Sequence, residues 1–462
     1  MAAAKNVERD RGSRMPRGQL DLLPREGMDW SRLEPARRVW LEDVGGDHRA
    51  RLEFLADQGL RLVMADLCPG RGETLHFSHP RDNETLHLRA GGGKSLLPEA
   101  ARYFPAASRW VELLYGGEDQ RWDAPGHAYS LVRAGLLLEV EGGYIRRVRD
   151  AWRDCPQGAL LGARAGQASV ILERETGDEG AALHLSFAQA LEEARGMKVP
   201  EAAVALRTAL LELARAQAHL AWISEFASIL GKRRAAAACD GLRLDLVAAL
   251  EEWQGRPPGA GWAMPGGIRE DFPVGEKAAV MRKLTGIAAA WKELSRRAAS
   301  LTAPGWAERR LRGLGVEAEG SAWVGPLARA AGLERDARRE EPGVYEAAGW
   351  ESPAPPEGTG MLRRLLAIRA GEAASSLELA QRVLAEPLEA PLLTKRGRGG
   401  KGEGFGRCEG PDGEVCCHVL LDKGRVNCAA FSLPRELNRS AARVLAGCRL
   451  DEAAVLSLLW GS

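Results

Sequence analysis

The sequence lacks a stretch of roughly 18 consecutive apolar residues, the length a membrane-crossing helix requires. Its richest apolar run, around Leu131 to Val140, is broken by Arg133 and Glu139. Any link to a membrane is therefore expected to come through a partner chain. No C-x-x-C pair occurs among the eight cysteines, Cys68, Cys155, Cys239, Cys408, Cys416, Cys417, Cys428 and Cys448. They are too sparse for a disulfide framework in a chain of this length, and a reducing cytoplasm is the simplest home. Charge of one sign is missing too: 64 Lys and Arg stand against 63 Asp and Glu, a net charge of +1 that gives no electrostatic case for nucleic acid. The first ten residues alternate charge without an apolar core, unlike a secretory signal.

What is present is ordinary globular material. Of 462 residues, 45% are apolar and 27% charged, enough for a sizeable core in two or three domains. Residues 1–25, rich in Arg and Gly, read as disordered. Residues 30–122 read as a small α/β domain, with a helix at Ala50 to Gln58 and strands at Leu60 to Asp66 and Thr85 to Ala90. Turn chemistry at Trp122 to Gly126 marks a boundary, and residues 125–462 form a large domain. Ser130 to Val140 and Tyr144 to Val148 read as a hairpin closed by Gly142 and Gly143, which supply the positive φ of a tight turn.

Beyond the hairpin the pattern turns helical. Pro200 to Leu230 is the clearest element: Leu206, Leu210, Leu213, Leu220, Ile223, Ala227 and Leu230 recur at three, four or seven, and Gly231 stops the run. Further helices are expected at Leu242 to Trp253, Glu276 to Leu294, Thr359 to Ala385 and Arg435 to Ala446, with a basic loop from Lys395 to Gly402. Glu414 to Asn427 reads as a hairpin turning at Asp422-Lys423-Gly424. The fold class is α+β: a small α/β domain, then a large, mainly helical domain with a few antiparallel strands.

Several ordered segments resemble one family. Leu60-Arg-Leu-Val-Met-Ala-Asp, Leu86-His-Leu-Arg-Ala and Tyr115-Gly116 are similar to the small complex I subunit that is fused to the large one in energy-converting hydrogenases. Phe187-Ala-Gln-Ala-Leu-Glu192, Val199-Pro-Glu201 and Leu211 through Leu220 follow at the spacing of the large subunit. Met264-Pro265-Gly266-Gly267-Ile268 matches its Pro-Gly-Gly turn, and Cys408-Glu409-Gly410-Pro411-Asp412-Gly413-Glu414 its late Glu-Gly-Pro element, with Asp412 where arginine is usual. The resemblance is to the nickel-iron hydrogenase and respiratory complex I large-subunit superfamily.

The resemblance implies a site and also its alteration. Working hydrogenases of the family hold nickel between two thiolate pairs, because soft ligands suit a soft, redox-active metal. The first pair, in an Arg-x-Cys-Gly-x-Cys element, falls on Arg174 to Glu179; Arg174 and Gly177 match, while Thr176 and Glu179 replace the cysteines. The second pair would follow a C-terminal Asp-Pro-Cys element, and Leu458 to Ser462 close the sequence where it would start. The expectation is a chain that binds no metal of its own. Complex I builds a quinone cavity in this place, so His127, Arg174, Gly177, Glu179, His184, Pro265 and Gly266 are candidates to face a cavity or a cluster. Leu183 and Glu179 would fill the former metal space.

Glu212, Arg215 and His219, at spacings of three and four, form one polar stripe on the long helix. Spacing alone favours a solvated face with helix ion pairs; the resemblance favours a buried network that couples a cluster to a partner subunit. Cys416 and Cys417, adjacent in a strand, point to opposite faces and cannot readily share an ion. Ala90 to Ser95 imitates a phosphate loop but has Leu88 where its first glycine belongs and no helix after Ser95. The implied function is a nickel-free subunit of a membrane-associated oxidoreductase complex, peripheral to the inner membrane. It would pack against an iron-sulfur small subunit, with membrane subunits beyond and quinone as the candidate ligand. A non-catalytic scaffold or regulatory protein is the alternative, and a true nickel-iron hydrogenase the third.

Overall fold

The structure is a computed structural model that describes residues 37–42, 48–68, 72–79, 84–89, 95–104, 107, 128–131, 136–150, 160–172, 179–255, 262–269, 273–314, 321–340, 343–388, 391–394, 397 and 400–460. The expected disordered start and the Trp122 to Gly126 boundary lie outside these residues, as does half of the basic loop.

The first unit is a four-stranded sheet. Strands β1 (Arg37–Glu42), β2 (Arg61–Cys68), β3 (Gly72–Ser78) and β4 (Glu84–Arg89) are ordered β1-β4-β3-β2, with β1 parallel to β4 and the other pairs antiparallel. Helix α1 (His48–Asp57) follows β1 and stops at Gly59, whose φ of 77° ends the turn. Leu52, Leu62, Leu75, Phe77 and Leu88 form the buried apolar side of this unit.

Strands β5 (Ala128–Leu131), β6 (Leu136–Glu141) and β7 (Tyr144–Asp150) make a meander, so the first strand expected of the hairpin is in fact two. The β6–β7 turn is the one foreseen, with Gly142 at φ 59° and Gly143 at φ 83°.

The large helical layer follows. It comprises α2 (Gly180–Arg195), α3 (Glu201–Ile229), α4 (Arg233–Gln254), a two-stranded β8 (Ala263–Met264) and β9 (Gly267–Ile268), and α5 (Lys277–Ala298). Short helices α6 (Gly325–Ala330) and α7 (Ala337–Glu340) lead to α8 (Met361–Ala385). Helix α3 lies within a residue of the expected limits, with Pro200 at its N-cap and Gly231 at φ 71° beyond its end. Helix α4 begins well before the expected Leu242, because Arg-Arg-Ala-Ala-Ala-Ala is strong helix-forming material. Leu210, Leu213, Trp222 and Ile223 of α3 share one continuous apolar core with Leu246 of α4, Trp291 of α5 and Leu377 of α8.

The chain closes with an antiparallel sheet of β10 (Gly402–Glu409), β11 (Glu414–Asp422) and β12 (Arg425–Ser432), turning at Lys423, φ 51°. β10 was not expected as a strand, since its glycines read as loop. Those glycines have a packing reason. A Cβ on Gly402, Gly404 or Gly406 would meet the carbonyl oxygens of Ala194, Ala190 or Ser186 at 1.8, 2.0 or 1.7 Å. The three carbonyls recur every fourth residue along α2, so a glycine at every second strand position lets helix and strand backbones touch. Glu193 and Gln189 of the same helix accept the backbone N–H of Phe405 (2.7 Å) and Arg407 (2.9 Å), which caps the sheet's β10 edge. Arg435 to Ala446, expected as one helix, is a single turn, Pro434–Leu437, followed by a 3₁₀ segment, Asn438–Leu445. The Asn438 amide leaves the helix pattern to bind Val324, accepting its N–H at 2.9 Å.

Candidate functional site

Helices α3 and α8 bring two polar stripes face to face inside the apolar core. Glu212, Arg215 and His219 lie on α3, and Arg369, Glu372 and Ser376 on α8, again at spacings of three and four. All six are buried, and Glu212, Arg215, His219 and Glu372 have no exposed surface. Burial on this scale is tolerated only when each charge is paired and hydrogen-bonded. The structure meets that condition with groups from four further segments.

Glu372 sits at the centre. One of its oxygens lies 2.7 Å from His219 Nε2, and the other accepts from Arg329 of α6 and from Arg338 of α7 (2.9 Å). Asp336 holds the same two arginines, at 3.1 Å to Arg329 and 2.8 Å to Arg338. Glu212 accepts from Arg215 (3.0 Å), from the Ser376 hydroxyl (2.6 Å) and from the Tyr345 hydroxyl (2.9 Å). Arg215 reaches on to the turn between β10 and β11, donating to the carbonyls of Glu409 and of Gly410 (2.6 Å). Arg369 spans from His219 Nδ1 (3.3 Å) to Asp412 Oδ1 (2.5 Å), and Glu409 accepts from Arg329 (3.1 Å) and from the Ala337 N–H (3.0 Å).

The electrostatics follow from that wiring. Burial alone would raise the carboxyl groups, yet Arg215 and Arg338 hold Glu212 below its usual range, and Arg329 and Arg338 hold Glu372 far below it. Burial lowers His219 to about 4 despite its bond to Glu372, so its imidazole is neutral at pH 7. Glu409 goes the other way: burial and the neighbouring Asp336 raise it to about 7 against the pull of Arg329. The set holds five carboxyls, Glu212, Asp336, Glu372, Glu409 and Asp412, and four guanidiniums, Arg215, Arg329, Arg338 and Arg369. A proton on Glu409 balances it.

The sequence candidates separate into groups. Glu212, Arg215 and His219 belong to the network. Glu179 adjoins it, since its Oε1 accepts the Asp412 N–H at 3.0 Å, beside the turn that Arg215 grips. Leu183 and His184 are buried on α2 a turn further along. Pro265 and Gly266 go elsewhere. The Gly266 N–H binds Glu192 (2.7 Å), and Glu192 pairs with Arg207, which also holds the carbonyls of Met264 and Gly267. Glu179 and Glu192 lie 13 residues apart at opposite ends of α2, about 20 Å at 1.5 Å per residue. The expected grouping of Glu179 with Pro265 and Gly266 is therefore not one contact set; the Pro-Gly-Gly turn is claimed by Glu192 and Arg207. His127, Arg174 and Gly177 lie outside the described residues.

Arg329, Asp336, Arg338, Tyr345, Arg369, Glu372 and Ser376 were missed from sequence. The one available signal was the stripe Arg369, Glu372, Ser376, which repeats the polar spacing of α3. A nickel-iron centre does not fit the described donors. Glu179 offers a carboxylate already bound to Asp412, Cys408 Sγ donates to the Ala182 carbonyl (3.2 Å), and among the described residues no cysteine joins a group of three potential metal ligands. Cys416 packs with the first sheet's core and Cys417 with the helical core, on opposite faces of β11.

With this geometry in place, the comparisons with known proteins give the class. Residues 237–399 match the family described as Respiratory-chain NADH dehydrogenase, 49 Kd subunit. The alpha subunit of the membrane-bound hydrogenase of Pyrococcus furiosus is 29% identical over 279 residues, covering 56% of this chain and 64% of that protein. A subunit of the NADH-quinone oxidoreductase of Chlorobaculum tepidum is 27% identical over 252 residues, covering 52% of this chain and 62% of that protein. The chain thus spans less than two thirds of the length of these curated relatives. A chain from the solved membrane-bound sulfane sulfur reductase, an archaeal respiratory membrane complex, shares the fold with a TM-score of 0.63 at 20% identity, over 74% of this chain and 97% of that one. These matches support the resemblance of the chain to the superfamily of complex I and hydrogenase large subunits. Among the described residues no helix is long and apolar enough to cross a membrane.

Proposed function

We propose that the chain is a nickel-free subunit of a membrane-associated oxidoreductase complex, packed against an iron-sulfur small subunit and shaping the polar environment beside its cluster. The observation that carries this reading is the buried network joining α3, α8 and the Glu409 to Asp412 turn next to Glu179. Fixed charges act strongly where water is excluded, so such a network sets the field felt by a neighbouring redox group. Glu409, poised near neutrality, gives it one site able to gain or lose a proton as that field changes. Relatives in membrane-bound hydrogenase and NADH-quinone oxidoreductase support the assignment to a complex of this kind; its cytoplasmic side is the place this reading gives the chain, with protein subunits and not nucleic acid as its partners. Quinone is the candidate ligand of the assembled complex.

The test is to purify the chain with its native partners and record metal content and electron paramagnetic resonance spectra. Stoichiometric iron with a reducible cluster signal, no nickel, and a spectral change on adding quinone support the reading. Stoichiometric nickel overturns it. Absence of any co-purifying cluster protein leaves a scaffold or regulatory role.

A further inference from the structure

The first sheet packs against the last one, and the facing surfaces carry an unusual set of side chains. Strand register sets Trp40 beside His87 and His87 beside His76 on one face. Asp66, two positions beyond the Met64 that pairs with His76, shares that face. Opposite them, β10 and β11 pair Phe405 with His418, and Glu403 stands two residues before Phe405. The alternation along β10 is what delivers these groups: its glycines turn to α2, and Glu403, Phe405 and Arg407 turn to the first sheet. His76, His87 and His418 have no exposed surface, and Asp66 is buried with them.

Three of these groups converge. Asp66 Oδ2 lies 2.7 Å from His76 Nε2 and 2.8 Å from His418 Nδ1, and the three atoms fall within 4.8 Å of one another. Each histidine has its remaining ring nitrogen engaged as well. His418 Nε2 is 2.9 Å from Glu403 Oε1, itself paired with Arg89, and His76 Nδ1 is 2.6 Å from His87 Nδ1. Two aromatic rings close the sides, Trp40 stacked on His87 at 4.0 Å and Phe405 stacked on His76 at 4.6 Å between centroids.

We propose that Asp66, His76 and His418 form a binding site for a zinc-class divalent transition metal ion that clips the N-terminal sheet to the C-terminal one. Two imidazoles and one carboxylate suit zinc or cobalt, whereas calcium and magnesium take all-oxygen sites. Glu403 stands to His418 as the outer carboxylate stands to a ligating histidine, fixing its tautomer, and His87 does the same for His76. The second oxygen of Asp66 or a water would complete a four-coordinate shell. An ion also explains why one buried interface between strands more than 300 positions apart gathers three imidazoles and two carboxylates, groups that are costly to bury without a common partner. The competing account is a proton. Burial disfavours charge on His418, but Asp66 and Glu403 outweigh it and raise its pKa to about 10, so an imidazolium could hold the same cluster.

Titration of the chelator-treated full chain with cobalt(II), followed by zinc(II), separates the two. The site predicts a visible ligand-field band that saturates at one equivalent and is bleached by zinc. It also predicts loss of the band in His418→Gln and a roughly 10- to 100-fold weaker affinity in Glu403→Gln, which leaves all three ligands in place. His79→Gln, changing a histidine at the end of β3 outside the cluster, should leave the titration unaltered. Because His418→Gln also removes contacts across the interface, its fold is checked by far-ultraviolet circular dichroism, and Glu403→Gln carries the test if it unfolds. No band in the wild-type chain, or a band indifferent to both His418→Gln and Glu403→Gln, overturns the metal site and leaves the imidazolium.

Discussion

The helical core and the interface between the two sheets both bury charge, but with different cations. Between α3 and α8 the positive partners are guanidiniums, which do not deprotonate in proteins, so the positive charges there are fixed across the accessible pH range. Between the sheets part of that role falls to imidazoles, which can exchange a proton for a metal ion. The first region is built to hold a constant field near neutral pH, where Glu409 is the member raised to about 7. Arg407 marks the seam between the styles: on the same face of β10 as Phe405, it binds Ser78 (2.7 Å), Glu340 and Glu414, joining the sheets through a guanidinium where their neighbours do so through histidines.

The contrast can be broken most severely at Glu372. Glu372→Ala leaves Arg329 and Arg338 to share Asp336, with Glu409 beside Arg329, so the buried cations outnumber their carboxylates; truncating one member of a buried ionic set costs about 3–5 kcal/mol. Urea denaturation of the chain should show that loss, and a change within about 1 kcal/mol would mean that water reaches the network. Next in size is Gly406→Ala on the helix-facing side of β10. Its Cβ would meet the Ser186 carbonyl at 1.7 Å, so α2 and β10 must separate, for a cost of about 1–3 kcal/mol. A lowered melting temperature is expected; an unchanged one would show that the strand can slide away from the helix freely.

Glu409 supplies the third prediction. The Glu409 pKa is raised in the folded state from its ordinary 4.5 to about 7, so the folded chain holds a proton that the unfolded chain releases. Its contribution to stability is full below pH 4.5 and is lost as pH rises to about 7. Glu409→Gln should therefore flatten the fall in stability across that window relative to wild type, measured by denaturation at each pH. Parallel curves would place the spare proton elsewhere in the network. The smallest effect is expected at the surface pair Arg296–Glu293, where both side chains are more than half exposed. Glu293→Ala should change stability by no more than about 0.5 kcal/mol, the ordinary worth of such a pair.

These regions differ also in how far they could be read in advance. The long helix was legible to within a residue because its apolar period, Pro200 and Gly231 all mark the same limits. The α+β class and the superfamily resemblance were legible for similar reasons, as was the separation of Cys416 from Cys417. Strand β10 was not: Gly402, Gly404 and Gly406 have the composition of a loop, and their purpose is apparent only against the α2 carbonyls. The Glu212 stripe was visible, but spacing alone favoured a solvated face, because nothing local distinguishes a buried charge from an exposed one. Arg329, Asp336 and Arg338 were invisible for the same reason. His87 sat in an expected strand and His76 in β3, which was not expected, and neither suggested a site, since their third partner, His418, is supplied by a strand more than 300 positions later.

By itself, then, the sequence determined what depends on neighbours along the chain: the periods of α3 and α8, the Gly142-Gly143 and Lys423-Gly424 turns, and the absence of any C-x-x-C pair in the sequence. The tertiary structure alone decided which charges meet. Pairing of Glu372 with Arg329, or of Asp66 with His418, depends on bringing distant segments together in a medium where unpaired charge is prohibitive, and that selection acts on the folded chain as a whole.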